Sequence, residues 1–497
     1  MSTASFTQET LDLMKAAQPG DLIKAWTQPT GPTTGVQNYD LQKPALSLFP
    51  VLTPLRNKIA RVSAAGGVQA NWRAITGINV NGMEIGVSEG NRGGVTTTST
   101  ADYYAAYRGI GLEDYVTEEA RYSAEQYMDI LARAQTNLLW ATMIAEEAVM
   151  LAGQGTYGLG QPNAPSVADV GTGGALAPNT TYSVIVAPLT LAGLMNGSVA
   201  KGVRGQVSRT NADGTTDQYG GGTGKLSANA TVLTANDGHN THSISSTVAP
   251  VVGALGYAWF WGAAGAEVLG AITTVNSVVI TAAAAGTQTA ASLGANDNSA
   301  NNLIYDGLLA QIFKPGSNAY LYQMPTGLAG TGTGLTADGD GGIVEIDAAL
   351  QHFWDNYRLS PSTIWVSSQE QTNITKKVLQ GNSNGAQRFM LNVEQGNVKG
   401  GELVTAYLNK YGLNGARALP VKNHPNLPPG TIFFDTDSLP YPLNGVDNVV
   451  QMRMRQDYYA TMWPMTKRRR EFGTYADGVL QNYFPPAFGA ITNIANA

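Results

Sequence analysis

Cysteine is absent from the 497-residue sequence, and with it go disulfide scaffolds, cysteine-ligated zinc and thiol nucleophiles. Charge is scarce: 13% of residues carry one, and 36 acidic against 30 basic side chains leave a formal charge of −6. The average surface therefore repels polyphosphate, which disfavours tight wrapping of nucleic acid. Histidine occurs only four times, at His239, His242, His352 and His424. The opening residues MSTASFTQET lack the basic start and apolar core of a secretory signal, so function without export is the expectation. Long apolar runs are missing too. The best candidate, residues 248–266, is uncharged but interrupted by Pro250 and four glycines. Its aromatics Tyr257, Trp259 and Trp261 alternate at strand period and no basic flank fixes an orientation, so it reads as strands and no membrane partner is expected. What remains is 43% apolar residues, enough to bury real cores in about three domains.

Residues 1–60 read as an extended arm, because prolines in TQPTGPTTG and LQKPALSLFPVLTPL punctuate single apolar residues. Leu46, Leu48, Phe49, Val51 and Leu55 need burial that a proline-broken segment cannot supply, so the arm is expected to lie along another surface. Two strand-like runs follow, VQANWRAIT and TTTSTADYYAAYR, separated by the glycine-rich GINVNGMEIGVSEGNRGG. They describe a long two-stranded ribbon, a form that needs a packing partner to be stable in water. Ser123 and Gln126 match a capping box, and Tyr127, Leu131, Ala134, Leu138, Ala141, Ala145, Ala148 and Ala152 continue at helical spacing. The spacing predicts one helix over 123–151, about 43 Å long at 1.5 Å per residue, stopped by Gly153. Glu146 and Glu147 fall off that stripe and read as solvated or contact-face charges.

Composition changes over 165–300, where ten charged side chains occur in 136 positions and short β-like runs alternate with Gly/Asn/Asp turns. This predicts an inserted small β-sandwich with the alternating aromatics of YAWFW on one inner face. Mixed patterning resumes at Leu303. Ile346, Leu350, Phe353, Trp354 and Tyr357 mark a helix, STIWVSS a strand, Ser367 with Glu370 another helix start, and ELVTAYL, ARALPV, TIFFD and NVVQMRMRQDYYATM further strands. The fold class is α+β.

No catalytic constellation assembles. GQGTYG at 153–158 has dinucleotide-loop spacing but follows a helix, and GTGKLS lacks the hydroxyl directly after Lys225. ADGDGG resembles the start of a calcium loop, yet Gly342 and Ile343 occupy positions that need a ligand and a glycine, so a turn is expected. His239 and His242 form H-x-x-H in a Gly/Asn-rich segment with no glutamate nearby, which reads as a surface loop rather than zinc. No catalytic residue, cofactor or metal is expected.

The order of parts is distinctive: arm, ribbon, long helix ending EEAVMLAGQGTYGLGQP, α+β domain, VKNHPNLPPGTIFF, and the closing RQDYYATMWPMTKRRREFGTYADGVLQNYFPPAFGAITNI. It resembles the major capsid protein of tailed bacteriophages of the Hong Kong 97 type. The resemblance implies an N-arm (1–60), an E-loop (61–114), a P-domain with a spine helix (115–164), an A-domain (301–445) and a return to the P-domain (446–497). The segment 165–300 then becomes an inserted, all-β, immunoglobulin-like sandwich. The partners implied are copies of the chain in hexamers and pentamers, separate scaffold, portal or decoration proteins, and genomic DNA enclosed without sequence-specific binding. The implied location is the virion capsid, assembled in the host cytoplasm. No lysine occurs between Lys58 and Lys201, so the covalent E-loop cross-link of the founding member is not expected.

The basic run Lys467, Arg468, Arg469 and Arg470 stands out in this acidic chain. As a strand it would charge both faces, which suits a wedge between subunits better than a nucleic-acid groove. Glu84, Glu89, Glu113 and Asp114 are the expected carboxylate partners on neighbouring copies, with Trp72, Leu48 and Phe49 as apolar contacts. Rival readings are an encapsulin-like nanocompartment and a soluble enzyme or carbohydrate-binding protein using Trp259, Trp261 and Tyr257.

Overall fold

The structure, a computed structural model, describes residues 45–78, 85–380, 393–394, 397–398, 403–412 and 416–496. Most of the arm, and Glu84, lie outside the described residues. The chain divides into two compact units, 1–49 with 119–130 and 50–118 with 131–497.

The helix Glu118–Ala124, in the first unit from its second residue on, closes on a turn, where the Tyr127 and Met128 amides donate to the Ala124 carbonyl at 2.8 and 2.9 Å. The long helix begins only at Ile130 and runs to Ala152, 23 residues or about 34 Å. This corrects the expected single helix from Ser123. Asp129, directly before it, is of the type favoured at a helix start, and the supposed capping pair Ser123/Gln126 falls in the preceding helix and turn.

The second unit holds the sheets. A four-stranded sheet has the order Ala60–Ser63, Val450–Met462, Arg469–Asn482, Arg108–Thr117, its first pair parallel and the others antiparallel. A six-stranded sheet runs Tyr320–Gln323, Gly489–Thr492, Ile432–Asp435, Thr363–Val366, Arg417–Asn423, Ala406–Asn409. Its central strands are apolar on both faces because the helices Val344–Tyr357 and Ser368–Gln380 belong to the same domain. Phe353, Phe433, Phe434 and Phe488 are fully buried there. The Ser367 hydroxyl accepts from the Glu370 amide at 3.3 Å, the cap its sequence predicts.

Over 165–300 a three-stranded and a four-stranded antiparallel sheet share a core of Val184, Val186, Ile244, Ile280, Tyr257, Trp259 and Trp261. Ala258 and Phe260, alternate residues of the strand Gly256–Gly262, face a second apolar cluster with Leu189 and Leu269. That strand is buried on both sides, which explains its membrane-like hydropathy. Among the described residues no helix is long and apolar enough to cross a membrane. The segment is fastened to the rest by a buried amide clasp. Asn493 donates to the Asn276 side-chain oxygen at 3.0 Å and to the Met324 carbonyl at 2.7 Å, and its own oxygen accepts from the Asn276 amide at 2.9 Å.

Candidate functional site

Gln69–Ile78 and Thr98–Ala106 pair antiparallel as a two-stranded sheet, with no third strand beside them among the described residues. The base of this ribbon packs on its own chain: Ala70 is buried, and Trp72 stacks on Tyr103 and meets Tyr483 edge-on, both at 5.9 Å. Beyond the base the burial stops. Ile75, Ile78, Ile85 and Val87 are exposed, as is Val95 at 95%, and on the open face of the base Tyr104, opposite Asn71, is 72% exposed. A hairpin with apolar side chains in water is unstable by itself, so this surface is built to be covered. The exposed Arg73 to Asp102 pair adds little, being screened by solvent. Glu89 is exposed in a turn near the tip. Leu48 and Phe49 are exposed at 89% and 69%, whereas Leu55 is fully buried in the chain's own core. The arm expected to lie on another surface is thus anchored to its own chain from Leu55 onward.

The basic run occupies the tip of the hairpin formed by Val450–Met462 and Arg469–Asn482. Lys467 and Arg468 precede the strand and are exposed, so the two-faced alternation holds only for Arg469 and Arg470. Arg469 Nε donates to Glu471 at 2.5 Å and its guanidinium lies 4.5 Å from the centre of the Tyr115 ring. Arg470 Nε donates to Glu118 at 2.9 Å. These partners belong to the same chain and differ from the four carboxylates the sequence offered. Glu113 accepts from the Tyr475 hydroxyl, and Asp114 accepts from the Tyr115 amide at 2.8 Å. Both lie beside the basic strand in register, Glu113 opposite Gly473 and Asp114 opposite Phe472.

The strongest ionic feature is one the periodicity hid. Glu146 and Glu147 are fully buried, which overturns their reading as solvated charges. The buried face of the long helix runs through Leu138, Thr142, Glu146 and Met150, so the carboxylates lie in the stripe. Glu147 accepts from the Leu55 and Arg56 amides at 2.8 and 2.7 Å and from His424 Nε2 at 2.8 Å. His424 Nδ1 accepts from the Asn426 amide at 3.1 Å, which fixes the proton on Nε2. Glu146 accepts from Arg56 Nε at 3.2 Å, from Arg61 at 3.1 and 3.2 Å, and from the Tyr458 hydroxyl. Burial, with the Glu146 charge beside it, pushes the Tyr458 hydroxyl up to about 12. Lys58 bonds Asp435 at 2.5 Å and Asp437 at 2.6 Å. The segment 54–61 is thereby riveted to the long helix, the strand Val450–Met462 and the six-stranded sheet.

The remaining sequence candidates resolve into architecture. In GQGTYG the Gly155 and Thr156 amides donate to Asp306 at 2.8 and 2.9 Å, a carboxylate of the chain filling the cradle a phosphate would need. In ADGDGG, Asp338 accepts from the Asp340 and Gly342 amides, and Lys410 bonds Asp347 at 2.8 Å with Asp338 at 3.4 Å, so an ammonium already supplies the positive charge. Trp259, Trp261 and Tyr257 are buried; the indoles donate to Thr273 and the Ala282 carbonyl, and the Tyr257 hydroxyl accepts from the Val251 amide. They cannot stack on a sugar.

His242 corrects the surface-loop reading, since its side chain is wholly buried while His239 is exposed. Its Nδ1 meets Asp169 at 2.9 Å and its Nε2 meets Asp237 at 3.0 Å, so both nitrogens carry protons. The hydrogen bonds to Asp237 and Asp169 hold its pKa above the ordinary 6.5. A raised folded value gives stabilisation that is complete below 6.5 and lost as pH rises through the folded value. Thermal melts of the subunit should therefore weaken from mildly acidic to mildly alkaline pH, and His242→Gln should flatten that slope.

No protein-family model matches the chain, and no curated protein matches it. Among solved structures it is similar to the capsid of Myoviridae phage XM1, at 10% identity and TM-score 0.39 over 92% of this chain and 97% of that one. It is similar to the capsid of a native GTA particle at 10% identity and TM-score 0.40, covering 93% and 96%. The holo-SrpI encapsulin complex from Synechococcus elongatus shares 11% identity over 39% of this chain and 57% of that one, with TM-score 0.24.

Proposed function

We propose that this chain is the major capsid protein of a tailed bacteriophage, a structural subunit of the Hong Kong 97 type that assembles into an icosahedral shell around double-stranded DNA. The observation that carries the reading is the ribbon: a sheet of two strands anchored at Trp72 and bare beyond it, with Ile75, Ile78 and Val95 in solvent. A subunit that leaves such a surface open completes its burial on another copy. The ribbon is the E-loop, the helix Ile130–Ala152 the spine, the six-stranded sheet the A-domain, and the hairpin bearing the basic run the return to the P-domain. The two packed sheets over 165–300 form the inserted immunoglobulin-like domain. Copies meet in hexamers and pentamers, with scaffold, portal or decoration proteins as further partners, and DNA is enclosed without being read. The lattice is non-covalent, because the ribbon has no lysine to cross-link. Lys467, Arg468, Leu48 and Phe49 are contact residues between copies, and the role is structural rather than catalytic.

Sedimentation of the purified chain tests this. Megadalton particles are expected; a species that stays at the 52.2 kDa of one chain or a few multiples of it contradicts the shell.

A further inference from the structure

The ribbon joins the body of the chain at two roots. On one side the strand Ala60–Ser63 ends where the Ala64 amide donates to the Met454 carbonyl at 2.7 Å, and the chain then passes through Gly66 and Gly67, whose φ values are 100° and 90°. Two consecutive glycines in a region that other residues rarely enter make a link no side chain stiffens. On the other side only Tyr107 separates the ribbon strand Thr98–Ala106 from the body strand Arg108–Thr117. Its amide donates to the Val68 carbonyl at 3.2 Å, which ties the two roots to each other.

Arg455 meets both roots. In the pairing of Val450–Met462 with Arg469–Asn482, Met454 lies opposite Gly478 and Gln456 opposite Asp477, so Arg455 is the extra residue of a β-bulge. A bulge re-aims a side chain. Here the guanidinium donates to the Gly67 carbonyl at 3.0 Å on one root and lies 5.3 Å from the centre of the Tyr107 ring on the other. Asp477 holds it in turn, accepting from Nε at 2.8 Å and from a terminal nitrogen as well. Arg455 is 37% exposed, so this ion pair adds little to stability. What it fixes is geometry, because a planar fork bonded along its edge and stacked on its face has few orientations left. The ribbon's other hold, Trp72 edge-on to Tyr483, lacks that direction: among the described residues the buried indole N–H has no acceptor.

We infer that Arg455 is a positioning residue that sets the direction in which the ribbon leaves the body, across a link of two glycines that would otherwise leave it free to turn. The inference goes beyond the shell reading and is tested on the free subunit, so the two can fail separately. The natural chain has no cysteine, so Ser99→Cys on the ribbon and Gln351→Cys on the helix Val344–Tyr357, both exposed, carry two spin labels and no others. Pulsed electron spin resonance below the assembly concentration should give one narrow distance when Arg455 is present. Arg455→Met with Asp477→Asn removes both charges together and strands neither. In that background the distance distribution should broaden about twofold or more while the melting temperature stays within about two degrees. Arg455→Lys keeps the ion pair but not the planar fork and should broaden it as well, which decides the question should the double variant melt early. Distributions of wild-type width in these variants overturn the inference, as does a lowered melting temperature with the width unchanged. A wild type that stays monomeric overturns the shell alone, and the distances still decide the role of Arg455.

Discussion

Glu147→Ala is expected to lower the unfolding free energy of the subunit by about 3–5 kcal/mol. The carboxylate is fully buried and satisfies three donors: the amides of Leu55 and Arg56 and His424 Nε2. Alanine leaves all three buried and unmade, and each unsatisfied donor costs on the order of 1–3 kcal/mol. Packing is lost as well, since Leu55 enters the core on this junction and Arg56 and Arg61 reach the adjacent Glu146. Glu147→Gln keeps one oxygen as acceptor but points an amide N–H at the remaining donors, so it should fall between wild type and alanine. Trp365 meets His424 edge-on at 5.7 Å and offers a local fluorescence reporter during denaturant titration. A change under about 1 kcal/mol would show that the junction carries little of the fold.

This junction marks the limit of what the sequence displays. The apolar period drawn through Ala141 and Ala145 counted small residues as core because alanine suits either environment, and both are exposed. The true stripe passes through Glu146, whose burial depends on guanidinium groups from Arg56 and Arg61, some 85 to 90 residues earlier. No local window contains that information. His242 was missed in the same way: Asp169 lies 73 residues before it, and only folding makes the two carboxylates a cage. Features governed by local chemistry were legible. The ribbon strands, the cap at Ser367 and the inward aromatics of Gly256–Gly262 follow from β-branched runs, a hydroxyl before a helix and strict alternation. In the basic run the strand was legible at Arg469 and Arg470 but not their pairing, because Glu471 and Glu118 reach them through strand register.

The central claim is that the ribbon's exposed face is buried on another copy of the chain. Ile75 and Tyr104 are both exposed, and the register places them on one face, Asn71 opposite Tyr104 and Ile75 opposite Thr100. Neither contributes to the chain's own core, so Ile75→Asp with Tyr104→Asp should leave the melting temperature of the free subunit within a degree or two of wild type. At an interface, two carboxylates forced against apolar surface cost several kcal/mol per contact, and a lattice repeats that cost at every subunit. The direct measurement is sedimentation of this double variant beside the wild type under assembly conditions. The account predicts a folded variant that remains at subunit or capsomer size while the wild type forms megadalton particles; variant particles of wild-type mass would contradict it.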